Sequence, residues 1–432
     1  MFFPPIGYNL DLAPGQSPVN SATTNWLASL DGGITPYTTL HNPFPTGIIQ
    51  PAGHDPNFET AFYGSAPNSP EPVQPPARVY QWNLGVESDL GQGVILDLTY
   101  AGARGTNLPT LVENIDTLPD ADLALGSQLI QTVPNPFFGL AAAGPTLGSE
   151  QTVTQQQLLL PYPQFTGVGS VNKNDRDSYY QALQAKLQKR FGRGGNLLVA
   201  YTWAKLISNV DTLTAWSEGE AGLEGPNGAY GGDQDPNNLR GERSLSGNDV
   251  SQNVVVSYVW DLPFGRGGKW LSGATGVTDK VVSGWSFDGV TTFQAGFPLG
   301  ISNAIPATLG GTRPNVIPNC SKPISGGAVS RLNMWFNTAC FSQPPAFSFG
   351  NESREDNTLR AAGINNWNAG IAKHLFLIRE KYGLTFRTEF FNLFNRVQFG
   401  PPGTSFGTAQ FGVISSQVNN PRLIQFGLRF TF

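Results

Sequence analysis

The sequence predicts an all-β fold: an antiparallel transmembrane β-barrel, with about nine strands present. Three observations predict it. Extended segments alternate apolar and polar residues with period two, these segments run to about 12–15 residues, and short and long connections alternate between them. Composition agrees. Charged residues make up 13% of the chain, about half the share in an average soluble domain. With 51 glycines and 34 prolines, turn-formers are abundant, yet apolar residues are too regularly spaced for a disordered chain.

The first alternating run spans 77–89, where Tyr80, Trp82, Leu84 and Val86 oppose Gln81, Asn83 and Glu87. The run at 92–104 alternates less cleanly, as does 195–207. Between them, in 177–191, Tyr179, Leu183, Ala185 and Leu187 oppose Gln184, Lys186, Gln188 and Arg190. In 249–262, Val250, Val254, Val256, Tyr258 and Trp260 oppose Asn253, Ser257 and Asp261. Runs at 282–297 and 366–378 follow, then 381–395, where Leu384, Phe386, Phe390 and Phe394 oppose Arg387 and Glu389. In the last twelve residues, PRLIQFGLRFTF, Ile424, Phe426, Leu428, Phe430 and Phe432 oppose Gln425, Gly427, Arg429 and Thr431.

Length distinguishes these runs from soluble strands, which usually have five or six residues. Twelve residues at ~3.3 Å each, tilted by ~45°, cross ~28 Å, close to the hydrocarbon thickness of a bilayer. Short turns fall near 89–93, 191–196 and 378–383, with a moderate link at 263–280. Long connections fall at 105–176, 208–248, 304–362 and 396–420. Transmembrane barrels pair short periplasmic turns with long extracellular loops in this way. Residues 1–76 read as a further extracellular loop, and 77–432 as barrel.

Lipid requires the apolar residues to face outward. Lys186, Arg190, Arg387, Glu389 and Arg429 are therefore candidates for a wet lumen. Trp203, Trp260, Trp285 and Trp367, near strand ends, suit interfacial girdles. Lys373 falls on an apolar face, where it must snorkel to the interface if the register is right.

Net charge is −5, so no basic face for nucleic acid is implied. Cys320 and Cys340 fit a disulfide staple in one loop. Asp233, Asp235, Asn237 and Asn238 suggest a calcium loop. The glutamate needed at loop position 12 is missing, however, and a hydrated loop with turns at Pro236 and Gly241 explains the pattern. His374 has no partner ligand in sequence and reads as a strand histidine. Arg387 and Glu389, one pleat apart, line a solute path or form an ion-pair lattice. No catalytic constellation or cofactor motif is present, so no enzyme is expected.

The ordered series WFNTACF (335–341), FGNESREDNTLRAAGINNWNAGIAKH (349–374), FRTEFFNLFNRVQF (386–399) and NPRLIQFGLRFTF (420–432) resembles TonB-dependent transporters of the Oar-like type common in acidobacterial genomes. So do DSYYQALQAKLQKRFGRGGNLLVAYTWAKLISN (177–209), QDPNNLRGERSLSGNDV (234–250), SYVWDLPFGRG (257–267) and GWSFDGVTTFQAGFPL (284–299). The resemblance covers nearly the whole chain. It implies a barrel of about 22 strands with a plug inside, of which this chain matches the last two-fifths. It also implies a terminal signal for the barrel-assembly machinery at Phe426, Phe430 and Phe432. The expected partners are outer-membrane lipid, the remaining strands and plug, TonB, and an unidentified large or scarce solute. Aromatic-rich loops at 304–362 and 105–176 are expected to touch that solute first. The start, MFFPPIGYNLDLAPGQ, lacks a basic n-region and does not read as a signal peptide. The chain is therefore expected to be a fragment of a longer protein, with pairing to another chain or closure into a small barrel of its own as the other readings. The alternatives are an adhesive or structural barrel without transport, and a soluble carbohydrate-binding protein.

Overall fold

The computed structural model describes residues 34–36, 39, 41–45, 47–48, 63–70, 75–109, 112–140, 143–171, 173–192, 194–210, 233–305, 307–309, 312–378 and 382–432. Most of 1–76, much of 208–248 and the centre of the 378–383 turn lie outside them.

Contacts divide the chain into two units. The first joins residues 1–76 to 109–175. Here Asn68–Pro70 pairs in parallel with Gly169–Val171, which pairs antiparallel with Val112–Asn114. Thr132–Pro134 pairs with Thr152–Thr154. Ala143, Leu147 and Val153 form a small core. The stretch 105–176, expected to be plain loop, is thus locally folded. One cause is local capping: the Thr154 hydroxyl accepts from Gln157 N at 3.3 Å and starts the helical turn Gln155–Leu159.

Among the described residues the second unit carries nine long strands: β1 (Arg78–Gly91), β2 (Val94–Pro109), β3 (Asn174–Phe191), β4 (Gly195–Ser208), β5 (Gln252–Asp261), β6 (Trp285–Gln294), β7 (Ile364–Ile378), β8 (Tyr382–Phe391) and β9 (Leu423–Thr431). Each pairs with its neighbour in chain order, giving one sheet from β1 to β9. Each expected run falls on one of them. Val250 and Phe394 lie outside the strands, because β5 begins at Gln252 and β8 ends at Phe391. β2 and β3, with 16 and 18 residues, outrun the expected lengths.

The β1–β2 turn shows why its glycines are needed. Gly91, Gln92 and Gly93 all take left-handed φ values. A Cβ on Gly93 would sit 2.8 Å from the Arg190 carbonyl oxygen. Among the described residues no helix is long and apolar enough to cross a membrane.

Candidate functional site

Directly opposed residues of antiparallel strands share a face, so the strand registers assign faces across the sheet. From β3 to β9, one face holds Leu183, Ala185 and Leu187, then Val199, Tyr201 and Trp203, then Val254, Val256, Tyr258 and Trp260. The same face continues through Phe287 and Phe293, Trp367 and Ile371, Phe386 and Phe390, and Phe426, Leu428 and Phe430. Many of these side chains are exposed, including Leu183, Trp203, Trp260, Phe293, Ile371, Phe386 and Phe426. Among the described residues, no second layer of the same sheet unit packs over them.

The opposite face collects all five candidate polar residues. Lys186 and Arg190 face Ala200 and Asn196, while Glu389, Arg387 and Arg429 face Gln425, Gly427 and Thr385. Arg387 is the best-anchored of them. Its Nη1 and Nη2 donate to the two Asp288 carboxylate oxygens at 3.0 and 2.7 Å, and its Nε donates to Glu389 Oε1 at 2.9 Å. Asp288 lies two strands away, across Gly370. A Cβ on Gly370 would meet Arg387 Nη2 at 3.0 Å and Asp288 at 3.1 Å, so glycine clears the path. His374, on the same face, meets Thr385 Oγ1 at 3.1 Å.

Aromatic residues on the greasy face gather at both strand ends. Trp203, Phe293 and Trp367 stand toward the long connections. Toward the short ones, Trp260 stacks on Phe191 at 5.0 Å and Tyr382 stacks on Phe430 at 6.0 Å. Phe430 in turn stacks on Phe432 at 6.1 Å. Lys373 does lie on the greasy face, opposite Trp285 and Phe386. It snorkels: Nζ donates to the Ser283 carbonyl and stands 5.3 Å from the Trp285 ring.

The long connections after β4, β6 and β8 pack into a cap at their end of the sheet. Its apolar core holds Leu299, Ile301, Trp335, Phe336, Cys340, Phe341, Leu359 and Ile414. A disulfide joins Cys320 and Cys340, with Cα atoms 5.4 Å apart. Trp335, Phe336 and Phe341, aromatics of the 304–362 connection, are buried in this core. In 105–176, Phe138 and Tyr162 are exposed.

Beside this core lies a buried ionic lattice. Arg313 pairs with Glu242, Arg176 with Asp233, and Lys322 with Asp356 and, at 3.3 Å, Glu352. Arg360 Nη2 meets Asp249 Oδ2 at 2.5 Å. Arg354 donates to the carbonyls of Glu242 at 3.1 Å and Ser208 at 2.8 Å, locking the cap to the end of β4. Residues 233–249 were expected to be hydrated. Instead Asp235, Glu242 and Asp249 are buried, because each charge finds a cation or backbone donor. Asp235 Oδ1 accepts from Asn237 N, and Asp233 is taken by Arg176, so both oxygens serve the loop's own turn and pairing. Burial pushes the Asp233 carboxyl up, more than the adjacent Arg176 charge pulls it down.

A family model described as an outer membrane beta barrel domain matches residues 1–425. The chain belongs to this family. In an outer-membrane barrel the apolar face of the wall meets lipid, the polar face is left to the interior, and the long connections lie outside the cell. Among solved structures it is similar to the outer membrane transporter YddB from Escherichia coli, at 7% identity and TM-score 0.38, covering 85% of this chain and 34% of that one. It is also similar to the pyoverdine outer membrane receptor FpvA from Pseudomonas aeruginosa PAO1 bound to pyoverdine, at 10% identity and TM-score 0.32, covering 86% and 32%. The barrel chain spans about a third of the length of these proteins. No match to a curated protein was detected.

Proposed function

We propose that this chain is part of the wall of a TonB-dependent uptake channel of the Oar-like type. The channel would carry a large or scarce solute across the outer membrane. The observation that supports this most is the pairing of two features. A charged inner face is held rigid by the Asp288–Arg387–Glu389 bridge, and a capped mouth is held by ion pairs and a disulfide. An interior lined with fixed charge is wet and suited to passage of a polar solute. The plug, the TonB contact and the recognition of Phe426, Phe430 and Phe432 by the assembly machinery are parts of the same proposal.

The test compares strains lacking this protein with strains lacking TonB, on ferric chelates, cobalamin and oligosaccharides as sole sources. A shared uptake deficit for one solute class supports the proposal. Uptake that is normal without the protein, together with lost surface adhesion that is indifferent to TonB, would establish the adhesive alternative.

A further inference from the structure

The link between β5 and β6 is on the short-turn side, yet it is no simple turn. Residues 262–284 fold back on themselves. Gly265 N donates to the Trp270 carbonyl at 2.9 Å and Trp270 N to the Pro263 carbonyl at 3.0 Å, while the Phe264 and Trp270 rings pack at 5.4 Å. A short helix, α1 (Gly276–Val282), follows. Arg266 N donates to Asp279 Oδ1 and to Ser283 Oγ, both at 3.1 Å, so helix and hairpin are braced together. Hydrogen bonds from Ser283 Oγ and Arg266 N also hold the Asp279 carboxyl below its ordinary range.

Two side chains of the lipid face reach this link. Trp285 Nε1 donates to the Val281 carbonyl at 2.9 Å, and Lys373 Nζ donates to the Ser283 carbonyl. Both belong to the row that runs through Phe386 and Leu428. The link is thus tied to the outward side of the wall. From it project Trp270, Leu271, Val277 and Val281, the two valines 79% and 61% exposed and one helical turn apart. Arg266, Lys269 and Lys280 flank them, against the single acid Asp279, and Lys269 Nζ stands 5.6 Å from the Trp270 ring.

We propose that residues 262–284 form a lipid-docking foot, which lays Trp270, Leu271, Val277 and Val281 into the periplasmic leaflet while its cations meet anionic phospholipid headgroups. The foot rests on the assignment of the greasy face to lipid. Its apolar surface continues that face through Trp285 and Lys373, and its excess of cations suits an anionic lipid surface. Tryptophan at the boundary and snorkelling lysines are what the interface selects.

The test uses the intact protein assembled in vesicles of phosphatidylethanolamine and phosphatidylglycerol. Spin labels are placed, one at a time, at Val277→Cys, Leu271→Cys, Leu183→Cys on the greasy wall, and Val329→Cys in an exposed part of the long connection after β6. Relaxation by oxygen is compared with relaxation by a water-soluble nickel chelate. The foot predicts that 277 and 271 resemble 183, with oxygen favoured several-fold over their response at 329. Nickel access at 277 and 271 equal to that at 329, with 183 still in lipid, overturns the foot and leaves the wall assignment standing. Nickel access at 183 as well would sink the wall assignment itself. Protection at 277 and 271 from both reagents would mean a protein partner and also overturns the foot.

Discussion

Lys322 carries the charge balance of the extracellular cap. It faces two carboxylates, Glu352 and Asp356, whose side chains are almost wholly buried. Burial acts to lower its ammonium, but the hydrogen bond to Asp356 and the charge of Glu352 outweigh it and hold it above the ordinary lysine range. Removing one member of a buried pair strands the other, at a cost of about 3–5 kcal/mol. Lys322→Ala should therefore loosen the cap by about that amount, read as lost amide protection across 313–360 in hydrogen exchange. Unchanged protection would show the lattice to be inert. Glu352 adds a pH dependence. Burial, then the Asp356 charge, push its carboxyl above the ordinary glutamate range, despite Lys322. A raised carboxyl binds its proton more tightly in the folded cap. Its contribution is complete below the ordinary value and is lost as pH rises through the raised one. Cap protection should accordingly fall as pH rises above the ordinary glutamate value of 4.5, and Glu352→Gln should flatten that slope. An equal slope in both proteins would refute the assignment. The disulfide belongs to the same scale. Reducing Cys320–Cys340 frees a loop of sequence separation 20 and should cost the cap about 3 kcal/mol, measured as earlier cap melting with reductant present.

At the scale of the strand, the two faces predict opposite tolerance. Val256 and Ser257 are neighbours on β5, one on the lipid face and one on the interior face. An arginine facing lipid near the midplane costs about 2–4 kcal/mol, while lumen substitutions are tolerated. Val256→Arg should lower the yield of heat-modifiable barrel in outer membranes, and Ser257→Arg should leave it close to wild type. Equal losses would remove the distinction between the faces. The faces were legible because period two survives in any single strand: Arg387 with Glu389, or Phe426 with Phe430, declare themselves without knowledge of their neighbours. What the sequence concealed depends on contacts far apart along the chain. Glu242 and Arg313 read as loop charges until folding buries them together. Trp335 and Phe336 went unplaced because local pattern cannot tell a loop's surface aromatic from the core of a packed cap. The folded pieces of 109–175 were missed for the same reason, since Asn68–Pro70 finds its strand partner a hundred residues later.

For the whole sheet, strand parity decides how the barrel closes. Among the described residues β1 and β9 are its edges, and every side chain along both is exposed. Unpaired backbone groups in hydrocarbon cost several kcal/mol each, so neither edge can stay open in a membrane. In an antiparallel path of nine strands, the first and the ninth run in the same direction. Joining β1 directly to β9 would make one parallel pair in an otherwise antiparallel wall. Closure by further antiparallel strands needs an odd number of them between β9 and β1, whether from elsewhere in the same polypeptide or from another chain. This separates a small self-closed barrel from the large transporter wall by a simple measurement. Cysteines at Asn83 on β1 and Gln425 on β9 both point to the interior side. In the assembled protein they should resist oxidation to a disulfide in every nearby register, Gly85 and Gly427 included, while the pair at Thr385 and Arg429, opposed across β8 and β9, crosslinks readily. A β1–β9 crosslink formed as fast as that control would mean that these nine strands close on themselves, and the wall of a larger channel would have to be abandoned.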